Sequence, residues 1–376
     1  MKKKVDIGSR KPNRLRLVFV GASLSAILVL SIVIASFIRI DTYADAGIRK
    51  GLSLPSPAHD ASKADLILRF LTPGAPPSAV IQSWEDSDRT KALLAPDRVY
   101  RMSDSSRTLA LAANPLGILY NSRVLREAGA DPPTTWDGLW SFPRKKPVSA
   151  RSPIGMAGGD PVAFTQVLIV LAEALSDAKS AREGLSRLWE DPLSGITKEG
   201  LLSKDNPLRA AVDWLMSAQS RGDLYPGWLR SDMGDIWLAI RDGHCRAAIV
   251  PYGLKRQYSE SENFSLEWLP FPPRTGRMNY SVGAVLLAAE IPRSAWNANG
   301  ARHVAAGFLE KDRQISLAKS LGFVPLAAGL PPFDIETRDA RIGLSVAPVF
   351  ALPASEAALP AGWGDVLDAV RKELGN

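Results

Sequence analysis

Residues 17–38 form an unbroken run of 22 uncharged, mostly apolar residues, LVFVGASLSAILVLSIVIASFI, and nothing else in the 376-residue chain restricts folding as strongly. A helix of that length rises about 33 Å, against about 30 Å for the hydrocarbon core of a bilayer. A single segment in that core can satisfy its own backbone polar groups only as a helix. Seven cations precede the run and only Arg39 follows it closely. That bias keeps the N-terminus in the cytoplasm and places the following chain outside it. The run is longer than the apolar region of a cleavable signal, about 7–15 residues, although Ala44-Asp45-Ala46 has the small-x-small form of a cleavage site. An uncleaved signal-anchor and cleavage after Ala46 therefore both stand, and both leave the body outside the cytoplasm.

The net charge of +7 does not describe that body. Of 46 Lys and Arg and 39 Asp and Glu, the first 40 residues hold eight and one, which leaves 38 of each sign in the rest. A neutral body lacks the clustered cations that bind phosphate backbones, so nucleic acid is excluded as a partner. Cys245 is the only cysteine, so the chain has no intramolecular disulfide and no lipid-bearing cysteine after the apolar run. GxSxG, HExxH, Walker A and GxGxxG are all absent, and His59, His244 and His303 are far apart. The adjacent His244 and Cys245 do not close a zinc site, and Cys245 reads as a small buried hydrophobe. No catalytic residue, metal or cofactor is expected.

Local signals organise the body. Residues 41–64 are polar and aperiodic, with Pro55 and Pro57, and read as a linker. DLILRFL at 65–71 reads as a buried strand. Ser122 precedes RVLREAG, with Gly129 as a stop, and Thr134 to Asp137 has capping-box spacing. Asp160-Pro161 pairs an N-cap with Pro at the first helical position, before Val167, Leu168, Leu171 and Leu175 at helical spacing. Asn206-Pro207 repeats the device before Leu208, Ala211, Val212, Leu215 and Met216, and Gly222 ends that segment. Apolar runs at 118–120, 247–250, 264–269 and 281–288 read as strands between these helices, which argues an α/β fold.

Ten tryptophans stand out. Trp189 and Trp214 lie within helical patterns and read as packing. Trp84, Trp228 and Trp363 lie among polar, Gly or Pro residues, as in loops that rim clefts. An indole face complements the C–H face of a sugar ring, with neighbouring Asp, Asn and Arg bonding its hydroxyls. Such a site would take carbohydrate.

The segment PLGILYNSRVLREAGADPPTTWDGL at 115–139 resembles a motif of the bacterial extracellular solute-binding proteins of family 1, the sugar-binding subunits of ABC importers. It carries Tyr120-Asn121, Glu127-Ala128-Gly129, Pro132-Pro133 and Thr135-Trp136-Asp137 in the family's order. PIGMAGGDP at 153–161, WLAIRDGHCRAAIVPYG at 237–253, FSLEWLPFPPRTGR followed by SVGAVLLAAE within 264–290, and HVAAGFLEKDRQISLAKSLGFVPL at 303–326 resemble further blocks of that family. The departures are His244 and Ile249, where the family prefers Lys and Met, and a first lobe shortened to about 50 residues between Asp65 and Pro115.

The resemblance implies a two-lobed periplasmic-binding-protein type II fold with a cleft between the lobes, preceded here by one transmembrane helix. The domains would be a cytoplasmic tail at 1–16, the anchor at 17–38, a linker at 39–64 and a bilobal body at 65–376. Lobe 1 would take about 65–150 with part of the later chain, and lobe 2 about 151–330. Trp84, Asp88, Arg89, Asn114, Trp228, Tyr252 and Trp363 would bind a sugar or oligosaccharide, with ABC permease subunits as partners and the membrane engaged through the N-terminal helix. The alternative is a degenerate member acting as an envelope sensor or assembly protein.

Overall fold

The computed structural model describes residues 40–42, 64–71, 99–100, 109–141, 153–176, 178–259, 261–274, 282–292, 295–347 and 349–375. The apolar run 17–38, Trp84, Asp88 and Arg89 lie outside them. Among the described residues no helix is long and apolar enough to cross a membrane.

The strands are β1 (Ile40–Thr42), β2 (Leu66–Phe70), β3 (Val99–Tyr100), β4 (Leu109–Asn121), β5 (Ile154–Gly155), β6 (Ala247–Pro251), β7 (Leu266–Pro270), β8 (Val282–Glu290), β9 (Val324–Pro325) and β10 (Val349–Ala351). The helices are α1 (Ser122–Glu127), α2 (Trp136–Ser141), α3 (Pro161–Leu175), α4 (Ala178–Glu190), α5 (Arg209–Ser220), α6 (Met233–Arg241), α7 (Ala298–Gly307), α8 (Lys311–Leu321), α9 (Ile335–Val346) and α10 (Trp363–Gly375). The strand order is β1-β2-β8-β4-β6-β5, with β10 joining β8 and β3, and with β7 and β9 on β4. The expected linker is corrected at its start: residues 40–42 pair in parallel with β2, adding an edge strand where β-branched Ile40 and Thr42 favour extended backbone.

β4 organises the molecule. From Leu109 to Pro115 it runs antiparallel to β8; from Leu116 to Tyr120 it runs antiparallel to β6, and from Gly117 to Asn121 to β7. Partners change at Pro115, which has no N–H to give to a ladder. The first half of the strand shares its sheet with β2, β8, β9 and β10, the second half with β5, β6 and β7.

Each half has its own core. Leu66, Leu68, Leu111 and Leu287 pack with Ala301 and Ala305 of α7, Phe308 just after it, and Leu317 of α8. Buried Asp65 accepts from the backbone N–H groups of Trp296 (2.7 Å) and Asn297 (3.2 Å), tying β2 to the start of α7. Buried Gln314 accepts from Leu326 N and Ala327 N and donates to Phe308 O, fixing α8 against the segment after β9. Around the second half, Ile118 and Tyr120 pack with Phe164, Leu168, Val212, Leu215 and Val366. The boundary expected near residue 330 therefore differs from the packing: α7, α8 and β9 belong with the first half of β4, and α10 returns to the second. A third apolar cluster, including Ala113, Leu119, Trp268, Leu286, Val324 and Leu344, runs across the junction.

Most local signals locate their elements. Asp160 caps α3 by accepting from Val162 N and Ala163 N, and the apolar runs become β4 and β6 to β8. Two caps slip by one residue. Asn121, not Ser122, caps α1, and Thr135 Oγ1, not Thr134, accepts from Gly138 N at 2.9 Å.

Cys245 is fully buried, and burial pushes its thiol up to about 12 from the ordinary 9.0, with the Arg246 charge acting in the opposite direction. From about pH 9 the unfolded chain loses a proton that the native state retains, so this group's stabilising contribution declines as pH rises from 9 towards 12. Iodoacetamide at pH 9 should therefore label Cys245 slowly in the native protein and quickly in urea. Labelling at the same rate in both would contradict the burial.

Candidate functional site

The two halves of β4 diverge at Asn114 and Pro115, and a seam of polar contacts closes beside them. Asn114 lies on the β8-paired half, opposite Val285. Its Oδ1 accepts from Gly253 N at 2.7 Å. Gly253 lies in the helical turn Tyr252–Gln257 that follows β6, so a side chain of one half holds backbone of the other. A Cβ at Gly253 would stand 3.2 Å from Asn114 Nδ2 and 3.3 Å from Gly322 O. Gly322 ends α8 with φ +68, a backbone that L side chains rarely adopt, and a Cβ there would stand 2.9 Å from Arg256 Cβ. The paired glycines let the two segments approach this closely.

The turn is then clasped to α9. Arg256 forms an ion pair with Asp334 and donates from Nη2 to Tyr252 Oη at 2.6 Å. Asp334 caps α9 by accepting from Thr337 N and Thr337 Oγ1, each at 2.7 Å. The Thr337 hydroxyl thus donates its hydrogen bond to Asp334, and Tyr252 Oη, 2.8 Å away, must donate to Thr337 Oγ1. Lys255 Nζ reaches Glu336 Oε1 at 2.5 Å, and the same oxygen accepts from Trp268 N at 3.0 Å. Burial raises the Tyr252 hydroxyl above its usual range, against the opposing bonds from Thr337 and Arg256. Burial alone would raise Asp334 too, but the bonds from Thr337 and the Arg256 charge outweigh it and hold the carboxyl low.

A cavity of about 330 Å³ opens at this seam. Tyr252 and Arg256 line it on the β6 side; Ile315, Ala318 and Lys319 of α8, with Gly322, Phe323 and Phe333, line it on the other. A second cavity, about 300 Å³ and mainly apolar, lies where Pro115 and Leu116 meet Val170, Phe271, Pro272 and Ile342.

Of the residues expected to bind ligand, Asn114 and Tyr252 come together at the seam, through Gly253. Two expectations are corrected. Trp228 is 3% exposed, packs edge-on against Phe164 at 5.7 Å and donates to Gln219 Oε1 at 3.1 Å. Trp363 is 1% exposed, lies 4.7 Å from Trp189 and donates to Thr165 Oγ1 at 2.8 Å. Their Gly- and Pro-rich surroundings shape turns that direct the indoles inward. Arg256, Lys319, Phe323, Phe333, Asp334 and Thr337 were not singled out by the sequence. Asp334 and Thr337 have N-cap spacing, which marks a helix start without showing what faces it.

Removing the Asn114 side chain leaves the Gly253 N–H without its partner. Asn114→Ala should lower stability by about 1–3 kcal/mol, read as a reduced urea midpoint at constant slope. An unchanged midpoint would mean that the bond across the seam contributes nothing.

No protein-family model matches the chain, and no curated protein matches it by sequence. Solved structures do match the fold. The bacterial solute receptor AcbH, whose description gives an exclusive preference for β-D-galactopyranose, superposes with a TM-score of 0.66 at 12% identity, over 90% of this chain and 93% of its own. The binding protein MsmE of Bacillus subtilis, in an open conformation, gives 0.65 at 15% identity, over 89% and 91%. Ligand-free RafE of Streptococcus pneumoniae gives 0.60 at 14% identity, over 89% and 96%. The chain thus has the α/β fold of these solute-binding proteins along nearly their whole length, despite its short first segment.

Proposed function

We propose that the chain is an extracytoplasmic solute-binding protein that takes a sugar or oligosaccharide between its two halves and delivers it to an ABC importer. The observation that carries this reading is the cavity between the turn after β6 and α8, bounded by both halves and lined by aromatic and hydrogen-bonding side chains. The fold matches carry it towards saccharides. They include the galactose-preferring AcbH, RafE in complex with raffinose, and a Bacillus licheniformis sugar transporter in complex with stachyose. We propose further that residues 17–38 anchor the body to the membrane from outside. A reporter fused at Asn376 should then be active only outside the cytoplasm, and cytoplasmic activity would overturn both the topology and the importer role.

The test of binding is thermal unfolding of the full chain with galactose, raffinose, stachyose and xylo- and chito-oligosaccharides. A ligand at about 100 times its Kd adds about 2.7 kcal/mol to the native state. One observation favours a second reading, a degenerate member that senses or scaffolds without transport. Asn114 Oδ1, the polar atom expected to meet a ligand, is already bonded to Gly253 N. Failure of every saccharide to raise the transition would select that reading.

A further inference from the structure

The seam cavity has an uneven wall. Its polar side chains are Tyr252, Arg256 and Lys319, and neither a carboxylate nor a side-chain amide lines it among the described residues. Sugar hydroxyls both donate and accept, so a site for a neutral sugar needs acceptors on its wall. Tyr252 Oη already donates to Thr337 and accepts from Arg256, which leaves it one lone pair at most. The other polar side chains of the wall, Arg256 and Lys319, are cationic and donor-only.

The donors are also held in place. All the bonds Arg256 makes to described residues leave from Nη2, towards Tyr252, Asp334 and Thr337, so Nε and Nη1 are left for a ligand. Its guanidinium stands 5.2 Å from the centre of the Tyr252 ring, which fixes the plane of the fork before anything binds. Asp334 balances the Arg256 charge. Lys319 has no ion-pair partner among the described residues, so the wall carries one uncompensated positive charge. Two aromatic rings complete the wall, on the α8 side with Lys319. Phe323 is held by Phe70 at a centroid distance of 5.9 Å, and Phe333 is 44% exposed. The volume, about 330 Å³, is near the small end of the roughly 300–1,000 Å³ typical of small-molecule sites, which suits one ring better than a chain.

From this we infer that the cavity takes an acidic monosaccharide, a uronate. Its carboxylate would face Arg256 and Lys319, and its C–H face would lie against Phe323 and Phe333. The inference rests on the solute-binding reading above and narrows it to an anionic class. Arg is suited to the carboxylate because its planar donors match two oxygens, and Lys319 adds a point charge.

Calorimetric titration of the full chain with D-galacturonate, D-glucuronate, D-galactose, raffinose and inorganic phosphate tests it. Expected are binding of a uronate at least about tenfold tighter than galactose, and weakening of that uronate as NaCl rises from about 0.05 M to about 0.5 M. Lys319→Ala, on an exposed helix position, should lower uronate affinity about three- to tenfold and galactose affinity by clearly less. Phe333→Ala should weaken the uronate and leave any phosphate binding alone. Galactose or raffinose binding as tightly as either uronate, or an equal loss of both in Lys319→Ala, overturns the acidic ligand and leaves the saccharide-binding reading standing. Phosphate binding as tightly as the uronate overturns the sugar part, since the ring would then contribute nothing. No heat with any saccharide overturns this inference and the solute-binding reading together.

Discussion

Replacing Gly117 by alanine should cost about 3 kcal/mol, the upper end of what overpacking a close-packed interior usually costs. Gly117 lies in the second half of β4, where the strand is flanked by β6 and β7. A Cβ there would stand 2.1 Å from Trp268 Cζ2 and 2.3 Å from Leu269 O. The indole is among the largest fully buried side chains and cannot swing into solvent. The carbonyl oxygen belongs to the neighbouring strand and cannot move without breaking the ladder. Strand glycines often mark such close approaches. The substitution should lower the urea midpoint at constant slope, and a second change, Trp268→Leu, should recover little of the loss because Leu269 O remains. A midpoint within error of the wild type would show that the crossing strand yields where its packing says it cannot. Because β4 joins the two halves, strain at Gly117 should also displace Asn114 and the seam it closes.

Trp363→Ala should cost about 3–5 kcal/mol, the range for emptying a large buried aromatic site. The indole is packed against Trp189, donates to Thr165 Oγ1 and stands at the start of α10, whose Val366, Leu367 and Val370 share its core. Trp363→Phe keeps much of the volume and loses the hydrogen bond, so it should cost about 1 kcal/mol for the bond, with any further loss from packing. The discriminating readout is saccharide affinity in the phenylalanine variant. A packing residue leaves it unchanged, whereas a stacking platform in the cleft would lose affinity at once. A large fall in affinity with little change in stability would return Trp363 to the binding site, against its burial.

These two residues show where reading along the chain succeeds and where it stops. Glycine at 117 is visible in the sequence, just before a run that reads as a strand, but the indole it accommodates is 151 positions away, at Trp268. Trp363 sits between two glycines, which describes a turn and leaves open the direction of the ring. Its hydrogen-bond partner lies 198 residues earlier. The seam has the same character. Tyr252 and Asn114 were legible as polar residues beside strands, yet the bond joining Asn114 to Gly253 spans 139 residues, and the Arg256 contacts to Asp334 and Thr337 span 78 and 81.

The sequence by itself determined what depends on neighbours within a few positions or on content summed along the chain. Asp160 before Pro161, the periodic leucines of α3, the short apolar runs that became strands and the confinement of excess charge to the first 40 residues are of this kind. Caps, helical spacing and strand hydropathy act over one to four residues, so their energies are written locally. Even these slipped by one residue at Asn121 and Thr135, because two adjacent polar residues could each cap and packing chose between them. Only the tertiary structure decided which half of β4 each later element joined, that Trp228 and Trp363 are buried, and that Arg256 and Lys319 line one cavity. Those outcomes depend on burial and on charge pairs brought together from distant parts of the chain. A side chain's solvent exposure and its partners are properties of the packed molecule, and hydrophobic burial, being non-directional, does not specify in advance which surfaces meet.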